Sequence, residues 1–513
     1  MYLRLCIFFL GFSMLIGEVS ADGKQVVIAF TNDIESAYDP VDAFWRDDIE
    51  QIGGIAQLAT LIRRLRSESQ VFFLFDAGDI FTGTLAKRTQ GAVSFDLMAL
   101  MGYDAIAIGN HEFEYGWETL AEQKNRVPFP VLGANLFYKD TDHPFAQPWV
   151  ILEREGIRVG VIGVMGQDAA TALIPSNIAG LTVLAPVDVV PALVRKLRPE
   201  CDLIVVLTHQ GETAPMQTDD EADASVQRGN EANLDLAGSV VGIDLILGGH
   251  TDAGTREALI QPSTGTAVMQ TYGQGQHLGV AEFTVSDASV EFEGGRLITV
   301  NADELPADPV IAARLNAYRE LHADLYKPVG TLAEGITRRY NAESSMGNLF
   351  ADIVRDAAEA DIGLMPSGAL RKDIGEGVVT RVDLLDAFPF EDQIAIVTLQ
   401  GSVLRAVLEQ GLSLERGMLQ VSGLSVRYDS SRPAGDRVLE VLVDGTPLDD
   451  EALYRVGTLE ILAQGGDRYT QFLSAENTSW ADVTFADALL NAFEGEKDLS
   501  VASERRFTNI AED

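Results

Sequence analysis

Only two cysteines occur in the chain, Cys6 and Cys201, and Cys6 falls in an N-terminal apolar run. Once that run is removed, one thiol remains and an internal disulfide framework is excluded. Stability must then come from core size, which 513 residues permit. Positive charge is also scarce. Against 77 Asp and Glu there are 38 Lys and Arg, a net charge of −39. Such a balance argues against a nucleic-acid polymer or an anionic membrane as the main partner. Beyond the N-terminus no segment is long and apolar enough to span a bilayer. A phosphate loop is lacking as well. Gly273-Gln274-Gly275 has none of the remaining features of a dinucleotide fingerprint.

The first residues do carry a pattern. Arg4 precedes an apolar run from Leu5 to Ile16, and Val19-Ser20-Ala21 offers small residues where a signal peptidase reads. Residues 1–21 are therefore expected to be a secretory signal, giving a periplasmic or secreted product without a membrane anchor. An uncleaved anchor is the alternative, disfavoured because the run is shorter than the ~20 residues a span needs. Removing 1–21 takes away Arg4 and Glu18, whose charges cancel, so the acidity persists. An acidic surface cannot hold a phosphorylated substrate. Metal ions, arginines or amide groups would have to do so locally.

From Lys24 to about Ala302, short apolar runs alternate with stretches compatible with helices. The runs are Val26–Phe30, Val71–Phe75, Ala105–Ile108, Val159–Val164, Leu203–Leu207 and Leu245–Leu247. Continuous apolar strands separated by helices imply an α/β domain with a buried sheet. Asp308 to Tyr326 reads as one helix that either connects two domains or packs as an ordinary element. From Gly330 a second, mixed α/β region begins. Its expected helix is Ser344–Ala360, and its expected strands are Val378–Thr380, Ile394–Leu399, Leu424–Tyr428 and Val438–Val443.

The informative feature is where the apolar runs end. Five of them lead into Thr31-Asn32-Asp33-Ile34-Glu35, Asp76-Ala77-Gly78-Asp79, Gly109-Asn110-His111-Glu112, Thr208-His209-Gln210-Gly211 and Gly248-Gly249-His250-Thr251-Asp252. In open α/β sheets the carboxyl ends of the strands are where ligands bind. Adjacent glycines let the backbone turn sharply there. A lone Asp or Asn after a strand is usually a turn residue or a helix cap. Five coincidences, including three of the six histidines, point instead to one cluster. Carboxylates, imidazoles and an amide oxygen suit divalent metals, and a carboxylate can bridge two ions.

The order Asp33, Gly78-Asp79, Gly109-Asn110-His111-Glu112, His209, Gly249-His250 resembles the calcineurin-like metallophosphoesterases. Ser345-Met346-Gly347-Asn348-Leu349, Ser367-Gly368-Ala369-Leu370-Arg371, Pro389-Phe390, Gln420-Val421-Ser422-Gly423-Leu424 and Gly465-Gly466-Asp467-Arg468-Tyr469 resemble a 5'-nucleotidase C-terminal domain. Together they identify the chain as similar to the exported 5'-nucleotidase and UDP-sugar hydrolase family.

This resemblance implies a four-layer αββα metallophosphoesterase domain over 22–304, a connector helix over 305–329 and a mixed α/β substrate-binding domain over 330–513. It implies two divalent ions, one held by Asp33, Glu35, Asp79 and Asp252, the other by Asp79, Asn110, His209 and His250. His111 would face the phosphate, oriented by Glu114. Arg371 would contact the substrate's negative groups, and Met418 and Tyr469 would form the clamp for a base. The implied activity is release of phosphate from nucleotides by attack of a metal-bridging hydroxide.

Departures from the family pattern matter. Glu35 stands where His is usual, and Asp252 where His or Gln is usual. If both bind metal, the first site is carboxylate-rich and favours Mn or Mg over Zn or Co. Alternatively one of them points away. Glu114 replaces an Asp, Met418 a Phe, and Pro366 a substrate-contacting Asn, which weakens the expectation of adenine preference. Arg371 on the surface and Tyr469 in the core are the competing readings for those two residues. Cyclic nucleotides, nucleotide sugars or other esters are alternative substrates, and a non-catalytic nucleotide-binding homologue is the alternative function.

Overall fold

Val26, Ile28 and Phe30 alternate with Ala29 along the strand Lys24–Thr31, and the alternation decides the layers. The first three enter a core together with Phe73, Phe75, Val159, Val205 and Leu247, so that core lies between two sheets. Ala29 joins a second core with Leu58, Leu74 and Ile108 on one outer face. Ile204, Val206 and Ile246 join a third with Val190, Val194 and Leu236 on the other outer face. Helices Ile55–Glu68 and Ala92–Met101 cover the first outer face, and Pro186–Leu197 and Glu231–Ser239 cover the second. The N-terminal domain is thus a four-layer αββα sandwich.

This computed structural model describes residues 23–43, 46, 48–211, 229–286, 289–495 and 505–511. The expected signal at 1–21, with Cys6, lies outside the described residues. Among the described residues no helix is long and apolar enough to cross a membrane.

The first sheet runs in the order Val290–Thr299, His277–Val285, Lys24–Thr31, Val71–Asp76, Ala105–Ala107, Val131–Leu132. The second runs Leu259–Ile260, Ala267–Met269, Leu245–Gly249, Leu203–His209, Ile157–Met165, Trp149–Arg154. Parallel register places Thr31 beside Asp76 in the first sheet and His209 beside Gly249 in the second. The strand ends singled out in the sequence therefore share one edge of the sandwich.

The helix expected from Asp308 to Tyr326 is shorter. Asp308 caps it, accepting from the amides of Val310 (2.9 Å) and Ile311 (3.1 Å), and Pro309 occupies the first turn. It ends at Leu321, because His322 leaves helical dihedrals, and Ala323–Tyr326 forms a separate 3₁₀ turn. The break turns Leu325 into the core that already holds Ile311 and Leu315. The helix therefore packs on the N-terminal domain.

The C-terminal domain centres on a five-stranded sheet, Leu419–Ser422, Ile362–Pro366, Leu453–Leu459, Gln393–Gln400, Asn477–Thr484. Helix Ser345–Ala357, capped by Ser344, packs on one face. Helix Gly401–Ser413 packs on the other. The two domains touch beside the strand-end edge. The Thr84 amide donates to Asp386 Oδ1 (3.1 Å), and Lys87 pairs with Glu391.

Candidate active site

Two loops build the floor of the site. The amides of Asp33 and Glu35 donate to the carbonyls of Gly78 and Asp79, both at 2.9 Å, and the Ala77 amide returns to Thr31 at 2.9 Å. The loop after the first strand thus lies along the loop after Val71–Asp76. Asp33, Glu35, Asp79, His250 and Asp252 all have positive φ, between 46° and 80°. Such backbone is uncommon outside glycine and costs about 1–3 kcal/mol per residue, so it persists where surrounding structure enforces it. Five of the seven expected ligands carry this strain.

Asp79 is the hub. Its Oδ1 accepts from the His111 amide (2.7 Å), and its Oδ2 lies 2.8 Å from His209 Nε2. His209 Nδ1 faces the Ala77 carbonyl oxygen at 2.9 Å, so that nitrogen carries a proton and Nε2 is the one directed into the site. Asn110 Oδ1 lies 3.2 Å from the same Nε2. Both Asp33 oxygens accept from the His250 amide at 3.0 Å, and Asn32 Nδ2 donates to Asp33 Oδ2 at 2.6 Å. The His209 and His250 rings lie 5.0 Å apart.

Two triplets of side chains each bring three donor atoms within 4.8 Å of one another, Asp79–His209–His250 and Glu35–Asp79–His111, and Asp79 belongs to both. Asp252 is in neither triplet, but it borders the first loop. A Cβ added at Gly273 would lie 2.5 Å from Asp252 Oδ1 and 3.3 Å from Asp33 Cβ.

His111 bridges two carboxylates, with Nδ1 2.6 Å from Glu114 Oε1 and Nε2 3.3 Å from Glu35 Oε1. Glu35 Oε2 accepts from Gln274 Nε2 (2.7 Å), and Oε1 lies 3.5 Å from Arg371 Nη1 of the other domain. The structure thus brings Asp33, Glu35, Asp79, Asn110, His111, Glu114, His209, His250, Asp252 and Arg371 to one junction. It places Met418 and Tyr469 elsewhere. Both are 2% exposed inside the C-terminal core with Leu408, Leu419 and Phe472, and neither presents an open face for stacking.

The electrostatics follow from crowding buried charge. Burial would raise the Asp79 carboxyl, but His209 and His111 outweigh it and hold it far below the carboxylate range. Burial alone would depress His209, yet Asp79 and Asp33 push it up to about 10. Asp33 is raised to about 7, chiefly by burial. His111 sits well above the ordinary imidazole range because Asp79 and Glu114 overcome its burial. His250 falls well below, through burial and the neighbouring His209.

The residues fit divalent cations. Four carboxylates, two imidazoles and an amide oxygen converge, and buried carboxylates at this density need compensating positive charge. Glycine keeps the cluster tight. A Cβ at Gly109 would lie 2.2 Å from Asp79 Oδ1, and one at Gly249 would lie 2.8 Å from His209 Nδ1.

Glu112 has a part the sequence did not assign. Buried beneath the site, its carboxylate accepts from the amides of Asp79 (3.0 Å), Ile80 (2.8 Å), Phe81 (3.2 Å) and Gly109 (2.7 Å). It clamps the loop that presents Asp79. Its place directly after His111 was the only signal, since three of its four partners, the amides of Asp79, Ile80 and Phe81, lie in another segment.

Residues 26–253 match the model of the calcineurin-like phosphoesterases, and residues 328–474 match that of the 5'-nucleotidase C-terminal domain. The chain belongs to the 5'-nucleotidase family. Its members are metal-dependent phosphoesterases. A 5'-nucleotidase of Diplobatis ommata is 28% identical over 499 residues, covering 87% of this chain and 83% of the relative. Protein UshA of Yersinia enterocolitica is 27% identical over 493 residues, covering 87% of each. The crystal structure of a 5'-nucleotidase precursor from Thermus thermophilus superposes with a TM-score of 0.81 at 26% identity, covering 94% of this chain and 99% of that one.

Proposed function

We propose that this 5'-nucleotidase family member is an exported phosphoester hydrolase that uses two divalent ions to release phosphate from nucleotides. The observation that carries the reading is the pair of donor triplets sharing Asp79. In this reading Asp33, Glu35, Asp79 and Asp252 hold one ion, and Asp79, Asn110, His209 and His250 hold the other. The ions supply charge neutralisation at the phosphoryl group and acidification of water.

The chain's own groups do the rest. His111, whose protonated form Glu114 favours at Nδ1, offers a proton at Nε2 to the departing ester oxygen. Glu114 fixes the ring through Nδ1, its extra methylene still reaching to 2.6 Å. Arg371 brings a permanent positive charge to the same spot, which answers how so acidic a protein holds an anion. The carboxylate-rich first site favours Mn or Mg over Zn. Export rests on the signal pattern at 1–21.

A second reading concerns the substrate. Met418 and Tyr469 are covered within the C-terminal core, so base recognition through them needs that core itself to open. The chemistry would serve cyclic nucleotides, nucleotide sugars or other phosphoesters equally well. The test is metal-stripped protein reloaded separately with Mn, Mg, Zn and Co and assayed on AMP, UMP, a 2',3'-cyclic nucleotide, UDP-glucose and p-nitrophenyl phosphate. The reading expects phosphate release from a nucleotide with Mn or Mg. Turnover confined to another ester corrects the substrate. No release from any ester with any metal overturns the reading and favours a non-catalytic binding protein.

A further inference from the structure

Phe390 belongs to the C-terminal domain, yet its half-buried ring lies against the His111 imidazole of the N-terminal domain. The centroids are 6.5 Å apart and the planes 29° from parallel, within the range of offset aromatic pairs. On the same ring sits the Arg371 guanidinium, its Cζ 5.3 Å from the centroid, which is cation–π geometry. Glu35 Oε1 closes the circuit, 3.3 Å from His111 Nε2 and 3.5 Å from Arg371 Nη1. Four side chains from two domains thus form a ring at the reaction centre, and Phe390 is its one member without charge or proton to exchange.

The segment carrying Phe390 is held from every side. Asp386 before it accepts from the Thr84 amide (3.1 Å), and Glu391 after it pairs with Lys87, both partners in the N-terminal domain. The Arg371 amide donates to Ala387 at 2.9 Å, tying the arginine to this same loop. Behind Phe390, Phe388 packs edge-on at 5.5 Å, and Phe485 packs on Phe388 at 4.5 Å. An aromatic stack therefore runs from the C-terminal core to the imidazole.

We propose that Phe390 is a positioning residue that fixes the His111 imidazole and the Arg371 guanidinium relative to each other across the domain junction. The kinetic consequence rests on the hydrolase reading above; the contact itself does not. A misplaced imidazole delivers its proton poorly, and small misplacements at a reacting centre are costly in rate. An ester whose leaving group needs no proton is spared.

The experiment compares Phe390→Tyr, which keeps the ring, with Phe390→Leu, which keeps apolar bulk without it. Both are measured by steady-state kinetics on AMP and on p-nitrophenyl phosphate, by metal content, and by NMR of histidine-labelled protein, with the His111 signal assigned through His111→Gln. Phe390→Met stands in if the leucine variant fails to fold. The leucine variant is expected to lose about tenfold or more in kcat on AMP. It should lose clearly less on p-nitrophenyl phosphate, bind the same metal, and show shifted His111 resonances. The tyrosine variant should stay near wild type in all of these. Equal losses on both esters, or unmoved His111 resonances in the leucine variant, overturn the proposal. If the wild-type protein turns over neither ester, the hydrolase reading has failed, and the His111 resonances alone decide whether Phe390 positions the ring.

Discussion

Asp79 Oδ2 and His209 Nε2 lie 2.8 Å apart, joining the two sheets of the N-terminal domain at their shared edge. Each holds the other's charge. Asp79 keeps the imidazole protonated up to about pH 10, and the imidazole helps hold the carboxyl ionised. A cation that binds Nε2 must displace that proton, because only a neutral imidazole donates a lone pair.

Metal binding is therefore expected to release protons at neutral pH. His209 is raised, so its proton is present throughout the physiological range and competes with metal more strongly as pH falls. A one-proton exchange weakens binding about tenfold per pH unit. Titration calorimetry with Mn in two buffers of different ionisation enthalpy should report at least one proton released. Heats independent of the buffer would contradict this.

Asp79→Asn should remove turnover by more than the ~10–100-fold that loss of an outer partner of a metal ligand costs. It serves both triplets, so binding of both ions should weaken together. Kinetics and metal analysis on folded protein check this. Loss of one ion alone would show that Asp79 does not bridge.

Glu35→His restores the residue usual in the family. The first site then gains nitrogen and loses charge, so the ratio of activity with Zn to activity with Mn should rise. The variant also loses the contact with Arg371, so KM should rise. An unchanged metal ratio would mean that Glu35 serves Arg371 and His111 and not a cation.

Glu112→Ala leaves four buried amides without their acceptor. At about 1–3 kcal/mol for each unsatisfied group, a loss of at least ~3 kcal/mol is expected. Calorimetry should show the N-terminal domain melting earlier. A transition at the wild-type temperature would show that the clamp is dispensable.

The strand-end edge was legible in the sequence because it depends on local order. An apolar run followed by Asp, Asn or His identifies a strand and what it delivers, and Asp33, Asp79, Asn110, His209 and His250 all converge as that order implies. What contacts do across the fold was not legible. Glu112 gives no sign that its acceptors reach amides of a loop some thirty residues earlier. Phe390 matched a family motif without revealing that it meets His111. Met418 and Tyr469 matched theirs, yet a motif carries no burial, and both lie within the C-terminal core. The helix end at Leu321 was missed because apolar spacing continues through Leu325, which the chain buries after a break.

Anomalous diffraction from crystals grown with Mn puts the central claim to its most direct test. The account predicts two peaks about 3.5–4 Å apart with the Asp79 carboxylate between them. One ligand set should include His209 and His250, and the other Asp33 and Glu35. A single peak, or two peaks that do not share Asp79, would contradict it.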